Sequence, residues 1–203
     1  AKLGFYGAVR NVNLSHQACK AETGAGILVL DIGGGSTEFI LGDCNCNLEL
    51  VRSIDLGSVS LTEKFIGYGK PYKNNLNRMR LYIANKLDET IEKIKQHKSL
   101  LIIGVAGTIT TLAAIDLKLE AYDSEKIHGH ILNLERIKDI HKDLCGLDLE
   151  ERKKVAGLDP GRADIIIGGT AIVLEILKML DKREILVSER DILDGIIYTL
   201  IDF

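Results

Sequence analysis

The chain has 203 residues, of which 46% are hydrophobic and 27% are charged, and its formal net charge is −3. This length and composition suit one soluble globular domain and exclude a disordered or fibrous chain. The small negative charge argues against nucleic acid as a partner, and no hydrophobic run approaches the roughly 20 residues that span a membrane. Charged residues interrupt the first twenty positions, which favours a cytoplasmic protein.

Three strands are predicted in the first third of the chain. Residues 27–32, ILVLDI, form a nearly continuous hydrophobic run, which is typical of a strand buried on both faces. Residues 37–41 are rich in strand formers, and residues 48–54 alternate with hydrophobic side chains on one side. We expect the three strands to be consecutive, with a glycine turn between the first two.

A long amphipathic helix is predicted next, because hydrophobic residues recur at spacings of three and four over 76–94, and we expect its cap near Asn74 or Asn75. A strand at 100–103 is followed by a small-residue loop at 104–108. The helix predicted at 109–117 then holds Thr110 and Thr111 in its first turn.

The rest of the chain continues this alternation, with further strands predicted at 131–134 and 184–187 and further helices at 134–144, 163–180 and 192–201. The closing helix is expected to turn five hydrophobic residues inward: Leu193, Ile196, Ile197, Leu200 and Ile201. The order of elements predicts a single α/β domain over residues 1–203, in which helices flank a mixed central sheet of the ribonuclease-H-like type.

The turn after the first strand carries the strongest chemical pattern, DIGGGSTE at 31–38. Because glycine has no Cβ, the N–H groups of Gly33, Gly34 and Gly35 can approach an anion closely, and successive N–H groups in a turn form an anion-binding nest. The next residue, Ser36, adds a hydroxyl donor. The pattern therefore predicts a phosphate-binding turn.

Two carboxylates bracket this turn. Asp31 ends the first strand and could hold a divalent cation, for which magnesium is the expected ion. Glu38 could accept a proton from water or help to hold the same cation. The glycines lead into a strand rather than a helix, which argues against a dinucleotide site, and the lysine of a P-loop is absent.

A second glycine segment, GVAGTITTLAA at 104–114, joins a predicted strand to a predicted helix and contains Gly107 and Thr108. Free N–H groups and the positive end of the helix dipole would face a ligand there. Together with the first turn, this segment indicates two loops that face one phosphorylated ligand.

A third segment, GLDPGRAD at 157–164, contains a proline-glycine turn before a predicted helix. Arg162 in this segment either reaches phosphate or pairs with an acidic neighbour, and the sequence leaves both readings open. His128 and His130 have the spacing of metal ligands, but no third ligand lies at a recognisable spacing, which favours ordinary histidines.

Four stretches resemble the exopolyphosphatase/guanosine pentaphosphate phosphohydrolase (Ppx/GppA) family, at residues 31–40, 56–65, 104–115 and 157–169. The resemblance implies the actin-like ATPase superfamily, in which two ribonuclease-H-like domains surround a cleft. It also implies an enzyme that uses Mg²⁺ to hydrolyse the terminal phosphoanhydride of polyphosphate or the 5′ γ-phosphate of guanosine pentaphosphate.

The resemblance also assigns roles to the predicted site residues. Asp31 and Glu38 would be catalytic and would hold the metal. The phosphate-binding residues would be Gly33, Gly34, Gly35, Ser36, Gly107, Thr108 and Arg162. Leu193 stands where the family has an arginine, which puts any phosphate or interdomain role at that position in doubt.

The family's first domain and its water-orienting carboxylate would precede Ala1. The resemblance therefore implies that this chain corresponds to the second domain, that the missing N-terminal domain is a partner, and that the chain alone has little activity. A homodimer is a further possible partner arrangement. The alternative is a non-enzymatic actin-like module that senses a nucleotide or polyphosphate.

Overall fold

A computed structural model describes residues 1–10, 26–67, 69–97 and 99–201. The strands in this part of the chain are β1 (Gly26–Ile32), β2 (Thr37–Gly42), β3 (Leu48–Ile54), β4 (Leu100–Val105), β5 (Ile131–Asn133) and β6 (Glu184–Val187). They form one sheet in the order β3-β2-β1-β4-β6-β5.

The sheet is mixed. The three strands predicted as consecutive, β1, β2 and β3, pair antiparallel, whereas β4 runs parallel to both β1 and β6. β5 is antiparallel to β6 at the far edge. The predicted α/β fold with a mixed central sheet is confirmed, and its strand order agrees with a ribonuclease-H-like domain.

Helices cover both faces of the sheet. The described helices are α1 (Lys2–Arg10), α2 (Ser58–Phe65), α3 (Lys73–Ile94), α4 (Ala106–Asp116), α5 (Ser124–Ile127), α6 (Leu134–Gly146), α7 (Leu149–Arg152), α8 (Ile166–Met179) and α9 (Ile192–Ile201), with a 3₁₀ turn at Pro160–Arg162. None of them, within the described ranges, is long and hydrophobic enough to cross a membrane.

β1 divides its side chains between two cores, as alternation along a strand requires. Leu28 and Leu30 join the larger core, which α3, α4 and α8 also form. Ile27 and Val29 face a smaller core built around α1. Asp31 follows on this second side and so lies at the carboxyl end of β1, beside α1 rather than beneath α4.

The loop predicted at 104–108 is wrong. β4 continues through Val105 and α4 begins at Ala106, whose backbone φ of 66° is in the left-handed region. Gly104 lies inside the strand, where a Cβ would come within 2.7 Å of the Ile185 side chain. The glycine at position 104 is therefore explained by close packing inside the strand and not by a loop conformation. Thr110 and Thr111 consequently lie in the second turn of α4.

Other boundaries also differ from the prediction. α3 begins after Tyr72, which makes no side-chain cap, so the predicted capping by Asn74 or Asn75 is wrong. α8 begins at Ile166 because the 3₁₀ turn occupies the residues before it. Helix α2, at 58–65, was not predicted from hydrophobic periodicity.

The inward face predicted for the closing helix is wrong as well. Leu193 is 65% exposed and Leu200 is 73% exposed, and Ile196 and Ile197 are exposed too; the side chain of Ile201 lies outside the described part. α9 instead packs on α1 through Gly195, where a Cβ would overlap the Leu3 carbonyl. Because backbone makes the contact, the hydrophobic side chains remain on the opposite, solvent-facing side.

Candidate functional site

The glycine turn between β1 and β2 is oriented by the start of α2. The N–H groups of Ser58 and Val59 donate to the carbonyls of Gly33 and Gly34, at 3.0 and 2.9 Å. The C=O and N–H of a trans peptide point in opposite directions. Because these two carbonyls accept hydrogen bonds from α2, the N–H groups of the same two peptides, those of Gly34 and Gly35, point away from the helix.

The amides of this turn are left available to a ligand. The Gly33 N–H donates to the Ser36 carbonyl at 3.0 Å and closes the turn. The N–H groups of Gly34, Gly35 and Ser36 donate to no acceptor within the residues that the structure describes. Three neighbouring amide donors without protein acceptors form the kind of concavity that binds anions.

Two glycines of the turn region have different steric roles. A Cβ on Gly57, just before α2, would overlap the Gly34 carbonyl, so close backbone packing requires a glycine there. A Cβ on Gly35 would meet nothing within 4 Å. Packing within the described chain does not account for Gly35, and a glycine there leaves the turn open to the close approach of a ligand.

Asp31 and Glu38 are paired residues on β1 and β2, so their side chains lie on the same face of the sheet. The hydroxyls of Ser36 and Ser53 both donate to Glu38 Oε1, at 2.6 and 2.7 Å, and they fix the orientation of that carboxylate. Burial raises the pKa of Asp31, and the negative charges of Glu38 and Asp191 raise it further.

The two carboxylates line a cleft of about 250 Å³ beside α1. No group of three histidine, cysteine or carboxylate side chains lies together as a metal cage anywhere in the described ranges. Mg²⁺ usually binds through one or two carboxylates, with water and substrate phosphates completing its shell. The facing pair Asp31 and Glu38 fits that donor set. A cation there would offset the negative charges of Glu38 and Asp191, which add to the effect of burial in raising the pKa of Asp31.

The start of α4 is tied to the end of β1. Thr108 is 5% exposed, and its hydroxyl donates to the Ile32 carbonyl at 3.1 Å. That hydroxyl is therefore used in holding α4 in place, and what the helix offers a ligand is its unpaired first-turn N–H groups. Ala106 lines the same cleft as Asp31, so this helix end adjoins the carboxylates.

Arg162 lies against Gly107 at the start of α4. A Cβ on Gly107 would overlap the Arg162 guanidinium, so the glycine makes room for it. Arg162 is half-buried and makes no ion pair or side-chain hydrogen bond within the described residues. The acidic-neighbour reading of Arg162 therefore finds no support, and its charge is available to an anion.

Both histidines of the 128–130 segment have hydrogen-bond partners within the protein. His130 Nε2 lies 2.8 Å from Asp116 Oδ2, and Arg136 donates to the other oxygen of that carboxylate at 2.7 Å. His128 Nδ1 accepts from the Glu189 amide at 3.3 Å. These contacts connect the segment just before β5 to α4 and to the segment after β6.

Sequence reasoning missed several residues that shape this site. Gly168 and Gly169 of α8 let that helix touch the first turns of α2 and α4, because a Cβ on them would lie 2.7 Å from the Ser58 carbonyl and 2.6 Å from the Thr108 side chain. Ser53 and Asp191 were missed as well. The glycine pair was visible in the sequence, but only the packing shows its purpose.

A mixed sheet with a glycine turn, two facing carboxylates and an adjoining helix start is the arrangement of an actin-like ATPase domain. The Ppx/GppA phosphatase family model matches residues 1–202, and the chain belongs to that family.

Known relatives agree with this assignment. The chain is 43% identical over 173 residues to a bifunctional 3-dehydroquinate synthase/phosphatase of Fusobacterium nucleatum, covering 84% of this chain and 26% of that protein. It is 34% identical over 206 residues to exopolyphosphatase 2 of Mycobacterium tuberculosis, covering 98% of this chain and 61% of the relative.

A solved Ppx-GppA enzyme of Aquifex aeolicus superposes with a TM-score of 0.86 at 26% identity, covering 98% of this chain and 62% of that chain. The present chain thus spans less than two thirds of the length of each of these three relatives.

Proposed function

We propose that this chain is the phosphate-binding half of a Mg²⁺-dependent phosphoanhydride hydrolase that acts on polyphosphate or on guanosine pentaphosphate. The observation that carries the proposal is the set of three turn amides, Gly34, Gly35 and Ser36, that donate to no acceptor within the part of the chain that the structure describes. The names of the relatives, an exopolyphosphatase among them, support the same class of substrate.

Different residues of the candidate site would bind different parts of the substrate's phosphate chain. The turn amides hold the oxygens of the terminal phosphoryl group, and Arg162 and the first N–H groups of α4 hold the phosphate next to it. A bound Mg²⁺ would neutralise phosphate oxygens between Asp31 and Glu38. Glu38, which Ser36 and Ser53 orient, would accept a proton from water or hold the cation.

The chain alone is proposed to bind substrate but to turn it over poorly. Phosphoryl transfer depends on enclosing the phosphate and aligning water with the scissile bond. The described residues offer one turn and one helix start, on one side of a cleft. The further length that the relatives carry is proposed to supply the opposing surface and a water-orienting carboxylate.

The test measures the binding of tripolyphosphate and of guanosine pentaphosphate by calorimetric titration, and the release of phosphate from each, with Mg²⁺, for the 203-residue chain and for its Asp31→Asn variant. We expect binding of both substrates with little release of phosphate. Robust turnover by the chain would overturn the claim that it works as a half, while absence of any binding would overturn the phosphate-binding role itself.

A further inference from the structure

The largest fully buried side chain in the described part of the protein is a charged one, Arg152 at the end of α7. The residue is 1% exposed. One guanidinium nitrogen donates to the Ala163 carbonyl at 2.7 Å, and the other donates to the Gly69 carbonyl at 3.1 Å. Within the residues that the structure describes, no carboxylate forms an ion pair with Arg152, and its Nε has no hydrogen-bond partner.

Stability alone gives little reason for an arginine at this position. Removing a cation from water is costly, and burial accordingly lowers the pKa of Arg152. Hydrophobic residues of similar volume are often as stabilising as the buried ionic groups that they replace. What arginine offers is geometry, because its planar guanidinium directs several donors at fixed angles and can hold two separate carbonyls at once.

One of the two carbonyls belongs to the segment that carries Arg162. Ala163 follows Arg162 directly and is fully buried. The Arg162 amide donates to the Asp159 carbonyl at 2.8 Å, which closes the 3₁₀ turn just before Ala163. The hydrogen bond from Arg152 therefore fixes the end of this turn.

The beginning of the same segment is fixed on α4. Gly157 has a φ of 84°, and a Cβ on it would overlap the Ala114 carbonyl, so the backbone packs directly against α4 there. The turn that carries Arg162 is thus held between α4 and Arg152. The contact of the Arg162 guanidinium with Gly107 depends on where this turn places the Arg162 backbone.

We propose that Arg152 is a positioning residue for phosphate binding: by holding the Ala163 carbonyl, it keeps the 3₁₀ turn where the Arg162 guanidinium reaches the start of α4. The inference rests on the proposed function, because that function gives Arg162 a phosphate to bind. Arg152 is buried and does not touch the ligand, so its effect on binding passes through Arg162.

The experiment measures tripolyphosphate binding to the 203-residue chain by calorimetric titration with excess Mg²⁺. Arg152→Met keeps most of the length of the side chain but removes its donors. We expect it to weaken binding about fivefold, which is within the usual range of coupling between interacting residues. In a chain that already carries Arg162→Ala, the same substitution changes the affinity by less than about twofold. A loss of charge that acted through space would persist in that background.

The position of Arg162 is also measured without a ligand. Because its guanidinium lies against Gly107, the Gly107 amide resonance in the ¹⁵N–¹H NMR spectrum reports on it. Arg152→Met moves this resonance in the same direction as Arg162→Ala does. Leu87→Ala, which opens a cavity in the second half of α3, is the matched control for lost stability. It leaves the Gly107 resonance and the affinity for tripolyphosphate unchanged.

The outcomes separate this inference from the function on which it rests. If the parent binds tripolyphosphate and Arg152→Met binds it equally well, or if the Gly107 resonance stays in place, the positioning role is overturned while the phosphate site stands. A loss of affinity that is as large with Arg162→Ala as without it overturns the role too. If the parent does not bind tripolyphosphate, the proposed function fails and the role fails with it.

A second variant keeps the question open to test if Arg152→Met does not fold. Arg152→Lys retains the charge but presents it as a point charge, without the planar fork that holds two carbonyls. It is expected to change the affinity and the Gly107 resonance in the same directions, and an unchanged affinity and resonance in Arg152→Lys would overturn the positioning role.

Discussion

The guanidinium of Arg162 lies directly against the α-carbon of Gly107, so closely that no other side chain fits at Gly107 while Arg162 keeps this position. The two residues are far apart in sequence. Their contact brings the Arg162 guanidinium, which forms no ion pair within the described chain, to the start of α4. The contact gives the glycine a use inside the first turn of a helix, where glycine is otherwise unfavourable, because any larger residue would displace the Arg162 guanidinium.

This contact predicts non-additive effects on anion binding. Gly107→Ala displaces the Arg162 side chain, and Arg162→Ala removes it, so each variant weakens tripolyphosphate binding about tenfold, as expected for one charge-assisted contact. The double variant binds about as weakly as either single one. Calorimetric titration measures this, with Arg78→Ala on the exposed side of α3 as the control. Additive losses would contradict the coupling.

Asp31→Asn is expected to stabilise the fold at neutral pH while it weakens phosphate binding in the presence of Mg²⁺. Burial, with help from Glu38 and Asp191, raises the pKa of Asp31 above 3.8, so the folded state binds this proton more tightly than the unfolded state does. The ionised carboxylate therefore costs stability above the folded pKa, and that cost disappears as the pH falls toward 3.8.

Denaturant unfolding over a range of pH, without Mg²⁺, measures the effect. The free energy of unfolding of Asp31→Asn exceeds that of the parent at pH 7, and the difference narrows as the pH is lowered. A variant that is less stable than the parent at pH 7, or a difference in the free energy of unfolding that does not change with pH, would show that the ionised Asp31 carboxylate does not destabilise the folded state.

Thr108→Val tests the link between α4 and β1. The substitution keeps the shape of the side chain but leaves the buried Ile32 carbonyl without its hydroxyl donor, which costs about 1–2 kcal/mol. Thr170→Val is the matched control, because the Thr170 hydroxyl bonds the Ile166 carbonyl within its own helix. Thermal and denaturant unfolding compare the two, and equal losses would argue against a special role for Thr108.

The α1–α9 contact predicts opposite results for two substitutions in one helix. Gly195→Ala forces the helices apart at the Leu3 carbonyl and destabilises the fold by about 2 kcal/mol or more. Leu200→Ser, on the exposed face, changes the stability of the chain by less than about 0.5 kcal/mol. A large loss from Leu200→Ser would mean that the side chain is buried, as the sequence pattern predicts.

Local patterns predicted the framework of this domain because its strands and long helices repeat hydrophobic residues at regular spacings. The strand of residues 27–32 and the helix of residues 76–94 are examples. The closing helix misled the prediction because hydrophobic spacing shows where a helix has an apolar face, but not whether anything covers it. In α9 the packed contact is Gly195, which no hydrophobicity pattern identifies.

Part of the candidate site could also be predicted from the sequence, because its residues are close together in the chain. The glycine turn and its flanking carboxylates lie within eight consecutive residues, so the sequence brings them together by itself. The contacts of Arg162 with Gly107, and of Gly168 with Ser58, join segments distant in the chain. One sequence without its fold contains no physical signal for such pairs.

The substitution Gly35→Ala is expected to weaken anion binding at the turn without changing the stability of the fold. A Cβ there meets no atom within 4 Å, so the variant should fold with a free energy of unfolding within about 0.5 kcal/mol of the parent. The same methyl group would obstruct an anion approaching the amides, so tripolyphosphate affinity should fall at least about tenfold, the equivalent of one lost charge-assisted hydrogen bond.

The most direct test of the phosphate-binding turn is an amide ¹⁵N–¹H NMR titration of the chain with tripolyphosphate and Mg²⁺. The account predicts that the resonances of Gly34, Gly35 and Ser36 shift most, and that Gly35→Ala suppresses those shifts without changing the rest of the spectrum. Resonances of these three amides that stay in place at saturating ligand would contradict it.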